Sequence, residues 1–180
     1  MKKLLSLFIT TLLISGCTSS TKVSSPGVVT SCDQIRLLES AEKSALMGCL
    51  DGSSEINFHQ IKGPLLINVW GSWCEGCKQE MPYFVELNQS PLFASGKIQM
   101  IGVNVEEKSK EDAIEYIQKS GMSWPNLEDS SGISKSIFGP GVPVTWFIDE
   151  NGKTVETKIG AYTNKKQLFN QVENAFGVKL

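Results

Sequence analysis

LLINVWGSWCEGCKQEMP, Leu65 to Pro82, decides the reading of this chain. Leu65–Trp70 is apolar apart from Asn68 and rich in β-branched and aromatic side chains. Such a run has the look of a strand buried on both faces. From Cys74 the pattern turns helical, with Met81, Phe84, Val85 and Leu87 on one side and Pro82 expected to kink it. A strand that ends in Cys-x-x-Cys opening a helix has a physical use. Unpaired backbone N–H groups and the helix dipole favour a thiolate at Cys74. Cys77, about one turn on, is close enough to form a disulfide with it. Cys74 therefore reads as the nucleophile and Cys77 as the resolving thiol that breaks the mixed disulfide.

A metal is the competing use of two such cysteines. Structural zinc usually takes four Cys/His ligands. The chain has one Cys-x-x-Cys and a single histidine, His59, placed before the strand and read as a surface residue. The ligand count falls short, so neither a metal nor another cofactor is expected.

Outward from this segment, Asp33–Met47 carries apolar residues at a loose helical spacing (Ile35, Leu37, Leu38, Ala41, Ala45, Leu46). Ile56 and Phe58 alternate as in a short strand. Residues 98–105 (IQMIGVNV) form a second buried strand, and residues 108–120 an amphipathic helix with Ala113, Ile114 and Ile117 inward. Asn126-Leu127 suggests a short strand and residues 133–138 a brief helix. Residues 144–148 (VTWFI), a turn at Asp149–Gly152 and residues 154–159 form a hairpin. Residues 165–176 close the chain as a helix. This order predicts an α/β fold, a mixed central sheet flanked by helices.

The N-terminus differs. Met1-Lys2-Lys3 precedes an apolar run of 11 residues, Leu4 to Ile14, too short to span a ~30 Å hydrocarbon core comfortably but right for a signal peptide. Ser15-Gly16-Cys17 follows, and LISGC resembles a bacterial lipobox. Residues 1–16 are thus expected to be a lipoprotein signal peptide, with Cys17 lipidated; an ordinary cleaved signal or an uncleaved anchor are the alternatives. All place the folded domain outside the cytoplasm. Residues 17–31, rich in Ser and Thr, read as a tether, and 32–180 as the domain. The net charge of −2, with no Lys/Arg block, gives no reason to expect nucleic acid.

Five cysteines are present: Cys17, Cys32, Cys49, Cys74 and Cys77. With Cys17 lipidated and Cys74 set against Cys77, Cys32 and Cys49 remain for each other. A structural disulfide is the simplest assignment in an oxidising compartment. Two unpaired thiols, or a second redox pair feeding Cys74/Cys77, stay open.

NVWGSWCEGCKQEMP and the later GVPVTWFIDENGK resemble the TlpA/ResA family of thioredoxin-like thiol–disulfide oxidoreductases over roughly residues 50–178. The resemblance implies a cis Pro143 facing the cysteines. It implies that Val142 offers backbone groups to an extended substrate, alongside Trp73, Glu75 and Gly76. It makes Glu80 a proton handler for the pair. It also makes residues 106–130 a helix-containing central insertion. Asn68 stands where many thioredoxins carry a buried Asp, and Glu75-Gly76 departs from the commoner Gly-Pro or Glu-Pro.

The expected partners are cysteine-containing exported proteins, apocytochrome c among them, and a membrane thiol protein that supplies or accepts electrons. The lipid-anchored chain is expected to act as a monomer. Glu75 and Glu80 oppose a further negative charge on Cys74 while the helix dipole favours it. Neither term clearly wins, and it is the resemblance to the cytochrome c maturation branch of the family that implies a reductase. A disulfide-forming oxidase and a non-catalytic thiol-binding lipoprotein are the alternatives. Peroxidase activity is a weaker reading, because a peroxidatic Cys normally has a Thr and an Arg nearby, and the only arginine is Arg36.

Overall fold

The computed structural model describes residues 25–180, so the signal-peptide segment and Cys17 lie outside the described residues. One sheet is built from β1 (Leu46–Cys49), β2 (Glu55–Asn57), β3 (Leu65–Trp70), β4 (Gln99–Val105), β5 (Asn126–Asp129), β6 (Val144–Ile148) and β7 (Thr154–Ile159). Its order is β2-β1-β5-β4-β3-β6-β7. β3, β4 and β5 are mutually parallel, while β6 runs antiparallel beside β3 and β7 antiparallel beside β6. Parallel neighbours need a crossover. Helices α1 (Glu75–Asn88) and α2 (Pro91–Ala94) carry the chain from β3 to β4, and α3 (Lys110–Ser120) carries it from β4 to β5. A short α4 (Ser134–Phe138) precedes β6, and α5 (Lys165–Phe176) ends the fold.

Side chains alternate across β3, so both its faces are buried. Leu66 and Trp70 join a core with Met81, Phe84, Ile117 and Leu168, beneath α1, α3 and α5. Leu65, Ile67 and Val69 join the opposite core with Met47, Phe58, Ile101, Val103 and Phe138. Each such aliphatic side chain contributes about 1.5–3 kcal/mol on burial. β3 is therefore held from both faces, and the cysteines sit just beyond its end.

The helix expected over Asp33–Met47 does not form. Cys32–Gln34 makes a single 3-10 turn, and the chain then runs irregularly to β1, with one bridge from Leu37 to Ile61. Tertiary contacts override the spacing. The Leu38 N–H donates to Gln60 O, the Lys62 N–H to Arg36 O and the Arg36 N–H to Gln99 Oε1. These bonds hold the backbone against its neighbours and are incompatible with helical pairing. Leu37 and Leu38 remain substantially exposed. Ahead of Cys32, Gly27 and Val28 donate to Gln118 O and Met122 O. The last part of the stretch read as tether thus lies against the domain.

Cys32 and Cys49 are bonded, with Cα atoms 6.0 Å apart and both residues buried. The bond ties the 3-10 turn to β1, as a bracing disulfide would. Replacing both cysteines with serine is expected to cost about 3 kcal/mol in the chain-entropy account. Urea unfolding of the purified domain checks this, and an unchanged midpoint would remove the bracing role.

Candidate active site

β3 ends at Trp70, and Gly71–Trp73 turn the chain into α1. Cys74 is the N-cap of that helix, and its Sγ accepts a hydrogen bond from the Cys77 N–H at 3.1 Å. One of the unpaired donors of the first turn is thereby directed at sulfur, the arrangement that stabilises a thiolate. Cys74 and Cys77 are bonded to each other, with Cα atoms 5.3 Å apart. Cys74 is 5% exposed and Cys77 is fully enclosed. The more accessible sulfur is the one read as the nucleophile.

Pro143 follows a cis peptide bond and faces α1, as the family resemblance implies. Gly76 leaves room for this approach. A Cβ there would lie 3.3 Å from Pro143 Cδ and 3.4 Å from Ala161 Cβ. The Gly160 N–H donates to Pro143 O, which ties this loop to the end of β7. Trp73 is half-exposed, and its Nε1 donates to Val105 O at 3.3 Å. Its indole folds back across Gly71, where a Cβ would fall 2.6 Å from Nε1. Trp73, Val69, Val105 and Val142 line a cavity of about 240 Å³. The Glu75 side chain is 75% exposed and 4.0 Å from Lys78, so water and that cation weaken its influence on Cys74.

Glu80 lies three residues beyond Cys77 on the same side of α1 and is completely buried. Its Oε1 accepts from Asn68 Nδ2 at 3.1 Å and its Oε2 from the Tyr162 N–H at 2.9 Å. Burial pushes the carboxyl up to about 7, although those two hydrogen bonds and the charge of Lys158 pull it down. The group can hold or release a proton near neutrality. Asn68 suits both states. Its amide donates to the carboxylate through Nδ2, while Oδ1 has no partner among the described residues. Rotated by half a turn, the amide would accept from a protonated Glu80. An aspartate there would set two carboxylates side by side.

A peroxidatic constellation is not assembled. Thr145 is buried on β6, opposite Asn68. Arg36 donates to Pro64 O at the start of β3, whereas Cys74 follows its end. A six-residue strand at about 3.3 Å per residue separates the two by roughly 20 Å. Cys32, Cys49 and Asp51 come within metal-ligand reach of one another, but both sulfurs are committed to a disulfide. His59 is exposed.

The reading from sequence missed Tyr162 and Glu107. The Tyr162 contribution is a backbone N–H, which no residue pattern reveals. Glu107 sits in a charged run, EEKSKE, that reads as a solvated face. Its carboxylate instead accepts from Ser72, two residues before Cys74.

Fold and site together define a thioredoxin-like protein with a Cys-x-x-Cys disulfide at a helix start. The chain belongs to the AhpC/TSA family, whose model matches residues 41–157. It is 32% identical over 110 residues to the thiol-disulfide oxidoreductase ResA of Bacillus subtilis, covering 60% of each chain. It is 31% identical over 102 residues to ResA of Geobacillus thermodenitrificans, covering 56% of this chain and 57% of that one. The match thus spans less than two thirds of these relatives' length. Among solved structures, StoA from Bacillus subtilis superposes with a TM-score of 0.55 at 23% identity, over 71% of this chain and 95% of that one. A secreted Mycobacterium tuberculosis disulfide oxidoreductase does so with a TM-score of 0.62 at 16% identity, over 80% and 99%. At these identities the two structures attest the fold.

Proposed function

We propose that this chain is an extracytoplasmic thiol–disulfide oxidoreductase that reduces disulfides of exported proteins through Cys74 and Cys77. The observation that carries the reading is the Cys74–Cys77 disulfide capping α1, beside Pro143 and one turn from a buried carboxyl with a pKa of about 7. The names of the ResA relatives support it.

In the reduced protein the Cys74 thiolate attacks one sulfur of a substrate disulfide. The substrate S–S bond breaks, its leaving sulfur takes up a proton, and a mixed disulfide forms. Cys77 then gives its proton to ionised Glu80 and attacks Cys74 Sγ. The Cys74–Cys77 bond forms, and the substrate leaves with both sulfurs reduced. Two electrons have passed to the substrate, and a membrane thiol partner must return them. Val142 offers backbone groups to the substrate segment, and Trp73, Glu75 and Gly76 border it.

The buried carboxyl supports this direction, against the Cys77 N–H and helix start that favour a Cys74 thiolate. When ionised, Glu80 adds negative charge beside the pair and disfavours a thiolate, which makes the dithiol the better reductant. The Cys74–Cys77 reduction potential tests this by equilibration with glutathione. A value below about −230 mV supports the reductase, and one near −120 mV the oxidase. Cys17 lipidation would hold the domain at the membrane of a bacterial cell. Metabolic labelling with a fatty acid, lost in Cys17→Ser, tests the anchor; equal labelling of the two would remove it. Apocytochrome c is one substrate of the required chemistry.

A further inference from the structure

We propose that Glu107 is a positioning residue for the loop that carries Trp73 and Cys74; this rests on the redox reading above. Glu106, just after β4, has φ 54. This left-handed turn, rare outside glycine, sends successive side chains different ways. Glu106 pairs with Lys135. Glu107 reaches across to the β3–α1 loop. Its Oε1 accepts from the Ser72 N–H at 2.5 Å and from Asn104 Nδ2 at 2.8 Å, and its Oε2 accepts from Ser72 Oγ at 2.7 Å.

Three donors on one carboxylate leave it little freedom, and charge-assisted bonds are the stronger kind. Two of the three come from Ser72. The neighbouring Trp73 is tied to Val105 O on the same segment. Residues 104–107 therefore grip the loop at two consecutive positions, and the Cys74 N–H closes that loop on Gly71 O at 3.1 Å. Two of the five bonds, those of Trp73 and the Cys74 N–H, are neutral and could shift with thermal motion. The two from Ser72 to a half-buried carboxylate are the firm ones.

The consequence is preorganisation. A substrate segment laid against Val142 meets Trp73 and Cys74 at a set distance only if their loop is fixed before binding. A loop that is in place only a fraction of the time weakens apparent substrate affinity by that fraction, so the cost falls on KM. Glu107 touches no reacting atom and acts through Ser72.

Insulin reduction by Glu107→Ala, Glu107→Gln and Ser72→Ala tests the proposal, beside amide hydrogen exchange at Ser72. Glutamine preserves the geometry, since its carbonyl accepts from Ser72 N–H and Asn104 and its amide donates to Ser72 Oγ. Glu107→Ala is expected to raise KM for insulin at least about tenfold, with kcat changed less than about twofold. Exchange at Ser72 should quicken in parallel. Glu107→Gln should restore both, and Ser72→Ala, which keeps its backbone bond, should fall between. An alanine variant with wild-type KM and exchange, or a glutamine variant as impaired as alanine, overturns the role of Glu107. A wild-type chain inert toward insulin while Ser72 stays protected overturns the oxidoreductase reading, and this proposal with it. If Glu107→Ala fails to fold, Ser72→Ala decides: a wild-type KM overturns the proposal and a raised one supports it.

Discussion

Cys74→Ser is expected to bring reduction of insulin disulfides down to background. A serine hydroxyl does not ionise near neutral pH, so the nucleophile is lost although the fold is unaltered. The Cys77 N–H that now points at Cys74 Sγ would point at a neutral oxygen. Cys77→Ser is expected to behave differently. Attack by Cys74 survives, but nothing releases the substrate, and mixed disulfides accumulate. Non-reducing gels of cells expressing each variant separate the two outcomes. A Cys77→Ser protein that captures no partner, with its Cys74 thiol free, would remove the catalytic reading. The asymmetry follows from burial, because only Cys74 offers sulfur to a partner.

Glu80→Gln carries the second large effect, and its sign depends on pH. The carboxyl has a pKa of about 7 in the folded chain against an ordinary 4.5. Between these values the folded state holds a proton that the unfolded state has released. Stability from this group is therefore complete below about pH 4.5 and is lost as pH rises through 7. At 1.36 kcal/mol per pH unit the loss is on the order of 3 kcal/mol. Glutamine cannot ionise, and the Asn68 amide can rotate to satisfy it. The variant should match the wild type near pH 4.5 and exceed it above pH 8. Urea unfolding at both pH values checks this, and parallel stability curves would show that Glu80 ionises normally. Turnover should show the opposite trend. The wild-type rate should bend near pH 7, and the variant should be slower with the bend gone, because Cys77 then lacks its proton acceptor.

Much of the fold was legible because its signals are local. Leu65–Trp70 is apolar enough to be nothing but interior, and the hairpin from Val144 to Ile159 carries its own turn. α5 closes where its apolar spacing ends. The miss at Asp33–Met47 has one cause. That segment takes its hydrogen bonds from residues about 20 to 60 positions away and is braced through Cys49, whereas apolar spacing reports only a residue's near neighbours. The same limit hid β1, a strand made by pairing with β2 and β5.

The site divides along the same line. Sequence alone determined the Cys74–Cys77 pair at a helix start, because residue type and spacing encode that chemistry, while resemblance to a known family marked Pro143, just before β6, and Glu80 along the helix. Tertiary structure alone decided what surrounds those groups. It buried Glu80 against Asn68 and the Tyr162 N–H, set Gly76 against Pro143, left Glu75 in water and brought Glu107 to Ser72. Burial, and with it the strength of every charge near the cysteines, is a property of packing between distant segments, and no short stretch of chain contains it.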